Sequence, residues 1–503
     1  MDGRRWTVDG GEQPGTTRPS LLSNDAPSTT DNRQPTTVHR PPSTVRLWLL
    51  AILAAYALLS LAYNLLVPVG EGPDEVDHIR YVEHIVRYGH LPAIGTGSSE
   101  RPYTIEAKQP ATYYLIQAAV MLALGRDGKQ LIPEMETDLA FRTTGVRYRH
   151  PPIPDDLLPW THIMRFFGML CGLGTIVLLY ATTREVFTDE RRAPLALAVA
   201  SMGLLPQFTF ITSVVNNDHL AIVMGAAISY LMARTLMRGV TWRASLLLGL
   251  ALGVGLMTKT NLLVYIPIAL LALALPGMPR FAAKEKGAWG GWAREWAAFA
   301  RKRVPVLAVV GAICLLVGGW WLLRNLLKYG DLLGTSAVSE MAQQVFPRFI
   351  ITFDASDPAV FFERLMYTVD THLGWFGWES LRAPEPFFWV YYALLVLAIL
   401  GLVALIFRQE LTGWQKACLM LAVLVFELFY VSLVWHGAWR GRLLFPALAS
   451  TGLLAVVGTY SWLGMVLKGR WKESAPMVTA VVWGGFLLVA NVVSLVGVIM
   501  QRY

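Results

Sequence analysis

Long apolar runs alternate with short polar and basic stretches along this chain, and most runs have the length of a helix that crosses a bilayer. The first covers about Val45–Val69. The others lie near Thr161–Ala181, Ala193–Ser213, His219–Met237, Ala244–Met257, Leu262–Leu275, Val304–Leu323, Phe387–Phe407, Cys418–Val434, Leu443–Leu467 and Met477–Met500. The pattern predicts an all-α polytopic membrane protein with about 11 transmembrane helices. The run Ala111–Leu124, at roughly 14 residues, is short for a span and is read as a helix dipping into the outer leaflet. The two-residue alternation of a membrane barrel is missing.

Residues 1–44 are rich in Pro, Thr, Ser, Gly and Asp and hold few apolar side chains. Such a segment buries too little surface to offset its chain entropy, so a disordered cytoplasmic tail is expected. The first apolar run is too long for the core of a signal peptide. Residues 45–503 then form the transmembrane domain.

Composition narrows the class further. The chain is 54% hydrophobic and 16% charged, against roughly 25% charged in soluble proteins, which excludes a water-soluble globular enzyme. Cys171, Cys314 and Cys418 sit in or beside apolar runs and read as small core residues, with no disulfide or metal set among them. The net charge is +8; in a membrane protein its placement matters more than its sum, and nucleic acid is not an expected partner. Basic residues gather at Arg184, Arg191 and Arg192, at Arg238 and Arg243, across Arg280–Arg303, and at Lys468, Arg470 and Lys472. With those clusters on the cytoplasmic side, the N-terminus lies inside and the C-terminus outside. Two long loops, about 70–160 and 325–386, then face out and carry juxtamembrane helices. Both hold more acids than bases.

The polar residues at the predicted outer ends carry the candidate chemistry. Pro73 suits a first helical turn, and Val76, Ile79, Val82 and Val86 continue a helical period that sets Asp74, Asp77 and His78 on one face. Acids there cap a helix against its dipole, hold a divalent metal together with His78, or serve as a metal-free catalytic carboxylate. Asn216-Asn217-Asp218-His219 is either a polar turn between spans or the source of a second acid, Asp218, in the same cavity. Lys259 interrupts an apolar stretch of roughly 30 residues and needs a partner, a wet cavity, or a snorkelling route to the interface. Arg324, Arg440 and Arg442 stand on the outer side against the charge rule. They anchor at the interface beside tryptophans or bind an anion such as a phosphate. Together, outward acids (Asp74, Glu75, Asp218) and cations (Lys259, Arg324, Arg442) suit proton removal from an acceptor and stabilisation of a departing phosphate.

Several short elements resemble a family. Pro73-Asp74-Glu75 with His78, Lys108-Gln109-Pro110-Ala111-Thr112-Tyr113-Tyr114, Asn217-Asp218 and Met257-Thr258-Lys259 follow one another in the order of GT-C-type membrane glycosyltransferases. So do Trp320-Trp321-Leu322-Leu323-Arg324-Asn325, Tyr329-Gly330-Asp331 and Gly441-Arg442-Leu443-Leu444-Phe445-Pro446. The likeness is greatest to bacterial multi-pass members. Ala111, Thr112 and Leu443 depart from the family pattern.

The resemblance implies inverting transfer of a sugar from a polyprenyl-phosphate donor to an acceptor on the outer side of the cell membrane. It implies Asp74 or Glu75 as the base, and Asp218 as a residue for acceptor or metal. Lys259, Arg324 and Arg442 would hold the lipid phosphate, with His78 and Gln109 also in the substrate site. A divalent ion is a possible cofactor, with Asp74, Asp77 and His78 as its candidate ligands. The alternative function is a transporter or flippase of a lipid-linked sugar, for which intramembrane charge would mark the pathway. A non-catalytic envelope scaffold is a third reading.

Overall fold

The period of 3.6 in the apolar runs becomes helix almost throughout. In the computed structural model residues 43–94, 105–126, 158–279, 289–345 and 357–503 are described. The expected tail at residues 1–44 falls outside them up to residue 42, as do residues 95–104, 127–157 and 346–356 of the two long loops and residues 280–288 of the basic stretch.

The helices that frame the site are α1 (Ser43–Leu66), α2 (Glu75–Tyr88), α3 (Thr112–Ala123), α4 (Leu158–Val186), α5 (Ala193–Ala200), α6 (Pro206–Ile211), α7 (Asp218–Arg238), α8 (Trp242–Leu256) and α9 (Tyr265–Ala274). They are followed by α10 (Trp289–Cys314), α11 (Trp320–Tyr329), α12 (Pro358–Leu373), α13 (Glu385–Ile406), α14 (Gly413–Trp435), α15 (Leu448–Val466) and α16 (Ala475–Ser494). A two-stranded antiparallel hairpin, β1 (Trp375–Phe376) and β2 (Leu381–Arg382), follows α12 and pairs Trp375 with Arg382.

Among the described residues eight helices are long and apolar enough to cross a membrane, and Thr112–Ala123, Trp242–Leu256 and Thr260–Ala274 are shorter apolar helices. The expected span Ala193–Ser213 is broken. Leu205, held extended (φ −52°, ψ 127°) ahead of Pro206, separates a 3₁₀ turn from α6, because a residue before proline is pushed out of the helical region. The run Ala111–Leu124 forms a helix, α3.

Contacts between helix ends show that the segments run alternately up and down. At one end Arg234 and Arg238, from the last turns of α7, pair with Glu185 from the last turn of α4, and Gln415, near the start of α14, donates to the Val186 carbonyl. At the other end the exit of α1, the start of α4, the start of α7 and the exit of α8 meet. Glycines let helices approach closely, as small residues do inside membranes. A Cβ on Gly318 would come within 2.8 Å of the Gly253 carbonyl oxygen, joining the α10–α11 junction to α8.

Candidate active site

The site begins where α1 ends. After Pro68 the chain turns through Gly70, at φ 97°, and Gly72, whose missing side chain leaves room for Val214. Asp74 sits at the N-cap of α2 in the left-handed region, at φ 58° and ψ 13°, with no side-chain capping hydrogen bond. A non-glycine residue there is strained and needs a reason. The reason visible here is reach: its carboxylate accepts a hydrogen bond from Arg442 Nη2 at 3.0 Å, across 368 residues of chain. Capping is therefore not its role.

Glu75, one residue on, faces the other way. It is fully buried and held by Arg165, whose Nε and Nη2 donate to its two oxygens at 2.7 and 2.8 Å. The Val215 and Gly70 amides add hydrogen bonds of 2.8 Å each. Burial pushes this carboxyl up, but Arg165 and the two amides hold it below its usual range. Four donors leave no room for a substrate proton, so the expectation of Glu75 as a base is corrected: it is a clamp between α1, α4 and the turn before α7. The remaining Arg165 donors go to the Asn64, Val67 and Pro68 carbonyls, which fixes the exit of α1.

Asp218 begins α7 and is buried. Its amide donates to Asn216 Oδ1 at 2.7 Å, and its carboxylate is ion-paired with Lys259, with Arg442 Nη1 3.9 Å away. Lys259 lies in the extended break between α8 and the next 3₁₀ turn, at φ −156° and ψ 130°. Its charge in an apolar stretch is thus matched by Asp218, and snorkelling is not needed to account for it. Asp74, Arg442, Asp218 and Lys259 form one chain of alternating charge. Arg442 is held in place by a 3₁₀ segment, Gly441–Ala447, in which Gly441 lies against the backbone of α12 and Pro446 against Gly225 of α7.

His78 is buried, and its Nδ1 is 2.8 Å from the Tyr114 hydroxyl. Burial lowers its proton affinity, against the opposing pull of Glu106 and Asp74, so the ring is neutral near pH 7. The expected metal face is corrected. The Asp74 carboxylate accepts from Arg442, His78 meets the Tyr114 hydroxyl, and Asp77 lies 3.9 Å from Arg80. Among the described residues no three His, Cys, Asp or Glu side chains are grouped to hold a metal.

Arg324 stands apart from the charge chain. It donates to the Pro92 carbonyl at 2.9 Å and to Asn325 Oδ1 at 3.0 Å, and lies over the Trp321 ring at 4.4 Å. Gln109 enters through its backbone, whose carbonyl accepts from Tyr81 at 3.3 Å. Arg165 and Glu106 were not read from the sequence. An arginine inside the apolar run Thr161–Ala181 was a legible signal for the first; Glu106 carried none, and Tyr114 stood only within the Lys108–Tyr114 element.

Residues 161–300 match the family model described as dolichyl-phosphate-mannose-protein mannosyltransferase, which bears out the resemblance to GT-C-type enzymes drawn from the short elements. No curated protein matches the chain. Among solved structures, the oligosaccharyltransferase of Archaeoglobus fulgidus in its apo form aligns at 13% identity over 89% of this chain and 56% of that one, with a TM-score of 0.47. ArnT from Cupriavidus metallidurans bound to undecaprenyl phosphate aligns at 13% identity over 90% of this chain and 77% of that one, with a TM-score of 0.48. The chain spans about half the length of the archaeal enzyme.

Proposed function

We propose that this chain, which resembles GT-C-type enzymes, transfers a sugar from a polyprenyl-phosphate donor to an acceptor hydroxyl. The observation that carries the proposal is the convergence of Asp74, Arg442, Asp218 and Lys259 at one end of the helix bundle. Two acids and two cations neutralise one another there. An entering lipid phosphate competes for Arg442 and Lys259, since guanidinium and ammonium groups bind phosphate as they bind carboxylate. That competition loosens Asp74 from Arg442 and makes its carboxylate available as a proton acceptor.

In the reaction the acceptor oxygen attacks the anomeric carbon and its proton passes to Asp74. The bond from that carbon to the phosphate oxygen breaks, and the lipid phosphate leaves with the electron pair, its added charge held by Lys259 and Arg442. Attack from the face opposite the phosphate inverts the anomeric centre. Asp218 orients Lys259 and Arg442. The basic residues Arg184, Arg191, Arg192, Arg234 and Arg238 lie toward the opposite end, which supports an extracytoplasmic site in the cell membrane.

The test is Asp74→Asn in purified protein given a panel of radiolabelled polyprenyl-phosphate sugars and membrane-derived acceptors. Donor consumption falls by about 10²–10⁴-fold, the usual worth of a general base, while the protein inserts and melts as wild type does. Undiminished turnover in this variant removes Asp74 from the chemistry. Transport into proteoliposomes without product points to a flippase instead.

A further inference from the structure

Glu106 is an acid at this site whose carboxylate lacks a cationic partner in the described structure. It lies in the 3₁₀ turn Ile105–Lys108 just before α3, is 8% exposed, and its Oε2 has no hydrogen-bond partner among the described residues. The contrast with its neighbours is sharp. Glu75 is saturated by Arg165, Asp218 is paired with Lys259, and Asp74 with Arg442. Of the charges acting on the buried His78, Glu106 exerts the largest, ahead of Asp74, Lys259 and Asp218. The turn that carries Glu106 is tied to the site: the Gln109 amide donates to the Glu106 carbonyl at 2.8 Å, the Gln109 carbonyl accepts from Tyr81, and the Tyr81 ring stacks on Tyr114, the partner of His78, at 3.7 Å.

A buried carboxylate oxygen without a donor is costly, and native proteins keep such a group where a ligand or water satisfies it. The surroundings select the ligand. Lys259 and Arg442 are the cations for a phosphate, so a second anion has no place at Glu106, and among the described residues no donor set for a metal is grouped. A carboxylate, a neutral histidine and the Tyr114 hydroxyl together accept and donate hydrogen bonds without net positive charge, which suits the hydroxyls of a polyol.

We propose that Glu106, aided by His78, binds a hydroxyl of the sugar carried on the lipid phosphate and so acts as a specificity contact for the donor. This rests on the proposed function, because the phosphate must sit at Lys259 and Arg442 for its sugar to reach Glu106. Glu106 accepts the hydrogen bond and takes no part in proton removal from the acceptor.

Binding is measured with the full chain in nanodiscs, using unsubstituted undecaprenyl phosphate and a panel of undecaprenyl-phosphate hexoses and pentoses. The wild type binds at least one sugar-bearing lipid more tightly than the bare phosphate. Glu106→Gln weakens that preferred lipid by about tenfold or more, the worth of a hydrogen bond to a charged group. It leaves the bare phosphate within about twofold, whereas Arg442→Gln weakens both. Glu106→Asp, which keeps the charge on a shorter arm, retains part of the preference. The inference is overturned if no sugar adds affinity in the wild type, or if Glu106→Gln keeps the preference. Equal loss for both lipids in a Glu106→Gln protein with an unchanged unfolding temperature overturns it as well. Failure of the wild type to bind bare undecaprenyl phosphate is a different result, and it counts against the proposed function itself.

Discussion

Asp74 and Glu75 are adjacent in the chain, yet one left-handed residue sends them to different tasks. Asp74 leaves the helix and meets Arg442, while Glu75 opens α2 and is locked by Arg165. Removing one member of a buried pair strands the other charge, at a cost of about 3–5 kcal/mol. Glu75→Gln and Arg165→Met are each expected to lower stability by that order in detergent unfolding, and the double variant to cost less than the two singles combined. The pH dependence has a definite sign. The folded value of Glu75 lies below the unfolded one, so its contribution is present above an unfolded value of about 4.3 and is lost as pH falls below it. Glu75→Gln flattens the acid limb of the stability curve; an unchanged limb means the clamp contributes nothing.

At the scale of elements, the site depends on how closely backbones approach. The 3₁₀ segment carrying Arg442 rests on α12 through Gly441, where a Cβ would collide with the Thr368 carbonyl and the His372 amide. Gly441→Ala therefore shifts the segment, and Arg442 moves away from Asp74. A misplacement of about 1 Å costs on the order of 10²-fold in rate. Donor turnover in Gly441→Ala is expected to fall by about that factor. Gly485→Ala, in α16 with open space around the added methyl, serves as the control and stays near wild type. Equal activity in the two variants shows that Arg442 does not need this packing.

For the molecule as a whole, the alternation of helices sends the acid–cation cluster to one end and most of the lysines and arginines of short loops to the other. That asymmetry predicts which end faces the cytoplasm. The three native cysteines are buried, so single introduced cysteines report sidedness against a low background. His436→Cys, exposed at the site end, is expected to react with a membrane-impermeant maleimide in intact cells. Lys468→Cys, exposed at the opposite end, reacts only after permeabilisation. The reverse labelling pattern inverts the topology and places the transfer reaction in the cytoplasm.

The hydrophobic period and the polar interruptions were enough to read an all-α membrane protein. They also marked Asp74, Asp218, Lys259 and Arg442 as charges that an apolar setting must compensate, because burial cost is a local property of residue type and neighbours. Which acid meets which cation was decided by the tertiary structure. The partners lie 41, 90 and 368 residues apart, and their meeting depends on where helices break and how closely glycines let them pack. The same holds for Glu75 becoming a clamp: a single backbone angle at Asp74 sends the two adjacent carboxylates to different partners.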